Sequence, residues 1–410
     1  MSEASGRVVI VGAGHAGGSV AALLRQYGWR GAITLFGTEP VPPYQRPPLS
    51  KAWIKGEGDI AGLLLRPARF YEEQSIDLRT SSHVDGIDRA ARTIRLTGGE
   101  HVAYDHLVLA LGAVPRLLPV PGCDLAGIIA LRTVADADQL KAALRPGARI
   151  AIIGAGYIGL EVAASARTMG ADVVVIEREP RVLARVASPL LSDYFQRRHE
   201  AAGVRFVFNA GVAAFEGTDG HVAALSLSDG ATIHCDAALI GIGASPNDSL
   251  ARAAGLHCAN GIVVDEACRT ADPAIHAVGD CTHRPLPLYH RTGRLESVPN
   301  ALEQAKQAAA DLCGRAPPAP EVPWFWSDQY DVRLQIAGLP FDVAEIAVRG
   351  DPDSGSFAIF HLAAEGTVQA VEAVNAPADF MAGRMLIARR RPAIASMLRD
   401  VSCSLRELAL

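Results

Sequence analysis

The sequence predicts an α/β protein: two parallel-sheet domains of one design, then a smaller α+β domain at the C-terminus. Three observations carry this. An apolar strand, a glycine turn and a helical stretch occur in that order twice, near residues 7–27 and 149–169. Proline-rich segments at 114–122 and 316–323 stand where the chain would cross between domains. After the second of these, alternating runs at 332–337, 357–361 and 368–374 read as antiparallel strands, followed by a helix from about Pro377. The length of 410 residues suits two to three domains at roughly 150 residues each.

Arg7-Val-Val-Ile-Val11 is a β-branched run of the kind buried on both faces of a parallel sheet. Gly12-Ala-Gly14-His-Ala-Gly17 follows at once, and residues 19–27 read as helix. The second copy is Arg149-Ile-Ala-Ile-Ile153, then Gly154-Ala-Gly156-Tyr-Ile-Gly159, then a helix over 160–169. In such a turn the first glycine allows the tight strand-to-helix bend, the second lets backbone approach a pyrophosphate, and the third lets helix and strand pack closely. The anion sits on unpaired N–H groups at the positive end of the helix. Ala16, Tyr157 and Ile158 are the other turn residues expected against a bound nucleotide.

A glycine motif alone is weak. Here each copy has its strand, its helix and an acidic residue about twenty positions on. Glu39 closes the strand over 32–37, and Glu177 closes the strand over 172–176, each placed to accept hydrogen bonds from ribose hydroxyls. Each unit therefore reads as a Rossmann-like dinucleotide-binding domain, and the chain is expected to bind two dinucleotides, a flavin and a nicotinamide. Glu177 would repel a ribose 2′-phosphate, which favours NADH over NADPH. Arg178, Arg181 and Arg185 follow it and stand either as phosphate ligands or as solvated charges.

Composition excludes several classes. Lys and Arg number 39 against 44 Asp and Glu, a net charge of −5, so the chain is not built to coat nucleic acid or an anionic membrane. Hydrophobic residues at 49% and charged residues at 20% supply ample core. The N-terminus lacks the cationic and apolar segments of a signal peptide, and no apolar run approaches 18 residues, so a soluble, cytoplasmic protein is expected. The seven cysteines contain no C-x-x-C pair, so no zinc site or dithiol is expected, and no metal is assigned.

The chain resembles the FAD-dependent, NADH-using ferredoxin reductases of bacterial oxygenase systems, of the putidaredoxin reductase and biphenyl dioxygenase reductase type. The likeness rests on Tyr44-Gln-Arg-Pro-Pro-Leu-Ser-Lys51, Gly154-Ala-Gly-Tyr-Ile-Gly-Leu-Glu161, Ala277-Val-Gly-Asp-Cys281, Leu295-Glu-Ser-Val-Pro-Asn-Ala-Leu-Glu-Gln304 and Trp324-Phe-Trp-Ser-Asp-Gln329. It departs at Thr38, where the family often has an acidic residue, so the ribose contact falls mainly to Glu39. The resemblance implies a glutathione-reductase-like architecture, with a discontinuous FAD domain at 1–113 and 240–318. An NAD domain at 114–239 interrupts it, and a C-terminal domain occupies 319–410. The run Ala238-Leu-Ile-Gly-Ile-Gly243 signals the return to the FAD domain.

The same resemblance assigns Gly12, Gly14, Ala16, Gly17, Glu39, Arg46, Lys51, Ala110, Arg116, Asp280, Val298 and Trp326 to FAD. Gly154, Gly156, Tyr157, Ile158 and Glu177 go to NAD. Asp280 would bond the ribityl chain, and Val298 would offer backbone at the start of a helix aimed at the flavin, capped by Ser297 with Pro299 in its first turn. Arg116 stands equally as a surface arginine, and the aromatics around Trp326 equally as core. Lys51 and Glu161 are the catalytic candidates: Glu161, placed in the first helical turn, would pair with Lys51 and keep it cationic beside the flavin. A plain structural salt bridge is the alternative.

Related flavoproteins with thiol relays carry cysteines near the flavin. Residues 39–51 contain none, and Cys281 beside Asp280 is solitary. Electrons are therefore expected to pass from FAD to a one-electron acceptor, an acidic 2Fe–2S ferredoxin. Docking is expected at Arg291, Arg294 and Lys306, with Arg284 nearby. A second cluster, Arg384 and Arg389-Arg-Arg391, either docks a partner or complements a helix C-terminus. Two other readings stay open: a rubredoxin reductase or general diaphorase, and an NADH-responsive interaction protein similar to apoptosis-inducing factor.

Overall fold

The computed structural model describes residues 5–408. The chain divides into two compact units. One holds the chain up to Gln45, Ile60–Val114 and Pro246–Phe325; the other holds Arg46–Asp59, Pro115–Ser245 and the chain from Trp326 on.

In the first unit, Val8–Val11 is the central strand of a five-stranded parallel sheet. Ile33–Phe36 and then Ile76–Arg79 lie to one side, and His106–Leu109 and then Ile275–Ala277 to the other. All four residues of the central strand are buried. Such burial is worth roughly 1.5–3 kcal/mol for each large apolar side chain, which explains why this run carries no polar alternation. The helix His15–Gln26 and the helix Val298–Leu312 pack on one face of the sheet, with Ala16, Val20, Ala21 and Leu24 meeting Ala301, Ala305, Ala308 and Ala309 in one core cluster. Small alanines on both helices allow the close approach.

The second unit repeats the design. Its parallel sheet runs Arg205–Val207, Asp172–Ile176, Arg149–Ile153, Ala237–Ile240 and Ile128–Ile129. The strand Ala237–Ile240 pairs with Arg149–Ile153 and with Ile128–Ile129, so this apolar run is an interior strand of the second sheet, and the second unit continues to Ser245. The same unit holds a five-stranded antiparallel sheet in the order Trp324–Gln329, Val332–Gly338, Val368–Val374, Ser356–Ala363 and Val343–Asp351. The helix Pro377–Arg389 follows, ending on Arg390 in the left-handed region.

Both glycine-motif helices start earlier than their Ala/Leu-rich stretches suggest. They begin at His15 and Tyr157, with Gly14 and Gly156 as extended N-caps. Two strands, Trp324–Gln329 and Val343–Asp351, lacked a clear alternation in the sequence; both are edge strands of the sheet, and the second carries a register shift between Val343 and Glu345.

Candidate functional site

The two glycine turns have the same geometry. Gly12 takes φ +114°, and a Cβ there would lie 2.1 Å from the Ala110 carbonyl oxygen. A Cβ on Gly17 would lie 1.9 Å from the Gly12 oxygen. Gly154 takes φ +102°, and Gly159 would meet the Gly154 oxygen at 2.2 Å. Gly14 and Gly156 differ from all of these: a Cβ at either meets nothing within 4 Å. The outer glycines are consumed by packing, and the middle one faces open space at the head of a helix. That is the shape a pyrophosphate needs, so the residues present fit a dinucleotide in each unit.

In the first unit the structure brings Gly12, Gly14, Ala16, Gly17 and Ala110 together with the turn that carries Asp280. A Cβ on Gly279 would touch the Ala16 methyl at 3.1 Å, and Val278 N–H bonds the Leu109 carbonyl. Asp280 is half-buried on this turn. The turn is held by Gln304, whose Oε1 accepts from Gly279 N–H at 2.8 Å and from the Thr282 hydroxyl at 2.9 Å. Gln304 lies on the helix that starts at Val298, so one amide fixes the Asp280 turn to that helix. The Ser297 hydroxyl accepts from Asn300 N–H at 3.2 Å as the expected cap, with Pro299 in the first turn. Glu39 receives the Tyr44 hydroxyl at 2.6 Å, which orients its carboxylate.

In the second unit Glu177 Oε2 accepts from Ala155 N–H at 2.7 Å, and Oε1 from Glu179 N–H at 3.0 Å. A carboxylate offers about four acceptor sites, so both oxygens retain capacity for ribose hydroxyls, and their charge opposes a 2′-phosphate. Arg181 turns into its own loop, donating to the Ala184 and Ala187 carbonyls, and Arg178 pairs with Glu179. Tyr157, with its hydroxyl on Val186 O at 3.3 Å, has its pKa pushed up by burial. Ile158 is exposed beside it.

The expected pair is present: Lys51 Nζ lies 2.6 Å from Glu161 Oε2. Glu161 is not in the first helical turn, because the helix begins at Tyr157, and the helix dipole reaches little beyond its first turn. Neighbouring side chains hold the charge instead. The Ser50 hydroxyl donates to Oε2 at 2.5 Å and the Ser327 hydroxyl to Oε1 at 2.6 Å. Glu161 is buried, while Lys51 keeps about a fifth of its side chain exposed. Ser50, Ser327 and Gln304 carried no role in the sequence; each lies inside a motif that the resemblance marks, yet neither serine nor glutamine signals burial.

The remaining candidates of this unit are anchored separately. Arg46 donates to the Arg132 carbonyl at 2.6 Å, and exposed Arg116 reaches the Ser245 hydroxyl at 3.3 Å. Trp326, next to Ser327, is half-buried.

The cationic candidates sort by burial. Arg284 is corrected: it is buried, bonded to Glu303 and Asn300 at 2.8 Å each, because a guanidinium under the helix start needs a carboxylate beside it. Arg294 is largely buried against Glu296, Lys306 pairs with Glu321 at 2.7 Å, and Arg291 is exposed. Cys281 is fully buried, and that burial pushes its thiol pKa up to about 12. All seven cysteines are free thiols. Among the described residues no helix is long and apolar enough to cross a membrane.

A family model described as pyridine nucleotide-disulphide oxidoreductase matches residues 6–305, and one described as reductase C-terminal matches residues 324–409. A probable ferredoxin reductase of Castellaniella defragrans is 52% identical over 409 residues, 100% of each chain. Putidaredoxin reductase of Pseudomonas putida is 42% identical over 411 residues, 99% of this chain and 97% of that one. The structure is similar to that of putidaredoxin reductase in its covalent complex with putidaredoxin, with a TM-score of 0.96, 41% identity and 98% of each chain covered.

Proposed function

Because the chain belongs to the pyridine nucleotide-disulphide oxidoreductase family, we propose that it carries electrons from NADH through FAD to a 2Fe–2S ferredoxin serving an oxygenase. It is an oxidoreductase, and FAD and a pyridine nucleotide are its cofactors. Bound FAD supplies the exchange between a two-electron hydride donor and a one-electron acceptor.

The observation that carries the reading is the state of the thiols. Tyr44 to Lys51 holds prolines and a lysine where a relay would need cysteine, and Cys281 is buried with a raised pKa, so a thiolate is disfavoured there. The chain's own work is then to bind and orient. Gly12, Gly14, Ala16, Gly17, Ala110 and Glu39 hold the FAD nucleotide, and Asp280, on the turn fixed by Gln304, takes the ribityl chain. Val298 presents backbone from the capped helix start. Arg46, Arg116 and Trp326 are assigned to the flavin on the resemblance. Gly154, Gly156, Tyr157, Ile158 and Glu177 hold NADH, with Glu177 selecting against NADPH. Lys51, paired with Glu161, sets the electrostatics at the flavin; hydride transfer needs no general base.

The domain division is part of the proposal: FAD at 1–113 and the return segment to 318, NAD from 114, and the C-terminal domain at 319–410. The compactness of the second unit supports moving the return to the FAD domain, expected at 239/240, to 245/246. Seven free thiols suit a reducing cytoplasm. We place ferredoxin docking near exposed Arg291, with Arg294 three positions on and Lys306 further along, on the helix that follows. Charge-steered docking is screened by salt. Reduction of a 2Fe–2S ferredoxin should therefore fall steeply with salt while NADH-to-ferricyanide activity barely changes. Equal loss of both would remove the docking assignment, and failure to reduce any 2Fe–2S ferredoxin, with rubredoxin reduced instead, would overturn the function.

A further inference from the structure

Beyond its pairing with Lys51, the Glu161 carboxylate ends a buried chain of hydrogen bonds whose direction follows from donor counting. A carboxylate only accepts, so Ser327 must spend its single O–H proton on Glu161 Oε1, at 2.6 Å. The remaining contact of that hydroxyl, 3.1 Å from Gln329, must then be received, which turns the Gln329 amide nitrogen toward Ser327 and its oxygen away. That oxygen lies 2.8 Å from His199 Nε2, which must carry the ring proton. Neutral His199 then has a bare Nδ1, and the Tyr330 hydroxyl stands 3.3 Å from it and donates. Ser327, Gln329 and His199 are buried, and Tyr330 is half-covered, with the Arg198 guanidinium over its ring at 4.5 Å. Every link points the same way, toward Glu161. Burial holds His199 neutral, with its pKa lowered to about 4, so the polarity persists at neutral pH.

We infer that Ser327, Gln329 and His199 are positioning residues that lock the Glu161 carboxylate, and through it the Lys51 ammonium, in the place that flavin reduction requires. The chain runs from the helix Pro189–Ala201 through the strand Trp324–Gln329 to the helix Tyr157–Thr168, so three elements of one unit share its alignment. An amide in the middle blocks proton hopping, so the chain transmits orientation and not protons. Reversal at one link has a defined consequence. In Gln329→Glu the new carboxylate can take the Ser327 proton for itself and leave Glu161 Oε1 without its donor. Side-chain volume is almost unchanged.

The inference rests on the proposed role of Lys51 at the flavin, and the experiment separates the two. FAD-loaded wild type, Ser327→Ala, Ser327→Thr, Gln329→Glu and Lys51→Met are mixed anaerobically with NADH, and flavin bleaching is timed. In parallel, 15N-histidine NMR follows the His199 ring in wild type, Ser327→Ala and Glu161→Gln. We expect Ser327→Ala and Gln329→Glu each to slow bleaching by about threefold to tenfold, the net scale of one ordinary hydrogen bond, because Ser50 and Lys51 still hold the carboxylate, with FAD retained. Ser327→Thr should restore the rate, and the His199 Nε2 signal should shift in Ser327→Ala and Glu161→Gln. If Ser327→Ala loses FAD, the isosteric Gln329→Glu and the NMR shift decide. Wild-type bleaching and an unmoved His199 signal, with Lys51→Met slow, would overturn the inference and leave the role of Lys51 standing. Wild-type bleaching in Lys51→Met as well would remove both.

Discussion

Alanine at two glycines only three positions apart should produce opposite failures. At Gly17 a Cβ would lie 1.9 Å from the Gly12 carbonyl oxygen and 3.2 Å from the Ala110 methyl, so backbone must move. Overpacking of this kind costs about 1–3 kcal/mol of stability. At Gly14 a Cβ meets nothing within 4 Å, and the residue sits at φ −92° and ψ −162°, open to any L-residue. Folding should lose about 0.5–1 kcal/mol, the preference for glycine over alanine at an N-cap. The open space, however, is where a pyrophosphate would approach the backbone. Displacing it by a methyl forfeits at least one N–H bond to a charged oxygen, about 1.5–3 kcal/mol, or roughly tenfold to a hundredfold in affinity. The assay pairs urea unfolding with FAD release after dilution, followed by flavin fluorescence. Gly14→Ala should unfold near wild type and release FAD far faster; Gly17→Ala should unfold early. Normal FAD retention in Gly14→Ala, or an unfolding loss equal to that of Gly17→Ala, would refute the assignment of the open space to the cofactor.

The second glycine motif predicts the same split for the nicotinamide: Gly156→Ala should raise the KM for NADH about tenfold with FAD content unchanged, checked by steady-state kinetics with ferricyanide. Lys51→Met leaves Glu161 buried with only the Ser50 and Ser327 hydroxyls; a loss of about 2 kcal/mol in unfolding free energy is expected, discounted from a fully buried pair because Lys51 is partly exposed. Flavin reduction by NADH should slow without release of FAD, and unaltered stopped-flow traces would make the pair structural only. His199 should make the protein acid-sensitive. Its pKa lies lower in the folded protein, about 4, than the 6.5 of a free imidazole, so the unfolded chain binds the proton first. The stability that depends on a neutral ring is complete above pH 6.5 and is lost as pH falls toward 4, up to ~3 kcal/mol in all. Urea midpoints at pH 7.5 and 5 should diverge in wild type and converge in His199→Gln; an equal divergence would place the sensitivity elsewhere.

Much of this protein was legible in its residues because the signals are local. A β-branched run buried on both faces, a turn with Gly12 at a positive φ, a third glycine under the helix and a carboxylate at the end of the next strand are all short-range requirements, so they appear as contiguous motifs, twice. The same holds for the Ser297 cap and for the cysteine-free Tyr44–Lys51 segment. What depended on tertiary structure was everything set by partners distant in the chain. Arg284 read as a surface cation until Glu303 and Asn300 closed over it. Glu161 read as a dipole-held carboxylate, whereas Lys51, Ser50 and Ser327, from segments more than a hundred positions away, hold it. The line from Tyr330 to Glu161 passes through Ser327 and Gln329, which sit in a marked motif, but nothing in that motif shows that they and His199 form one chain. A motif records what the backbone needs locally; the direction of a hydrogen-bond chain depends on which donors the fold leaves facing a single buried acceptor.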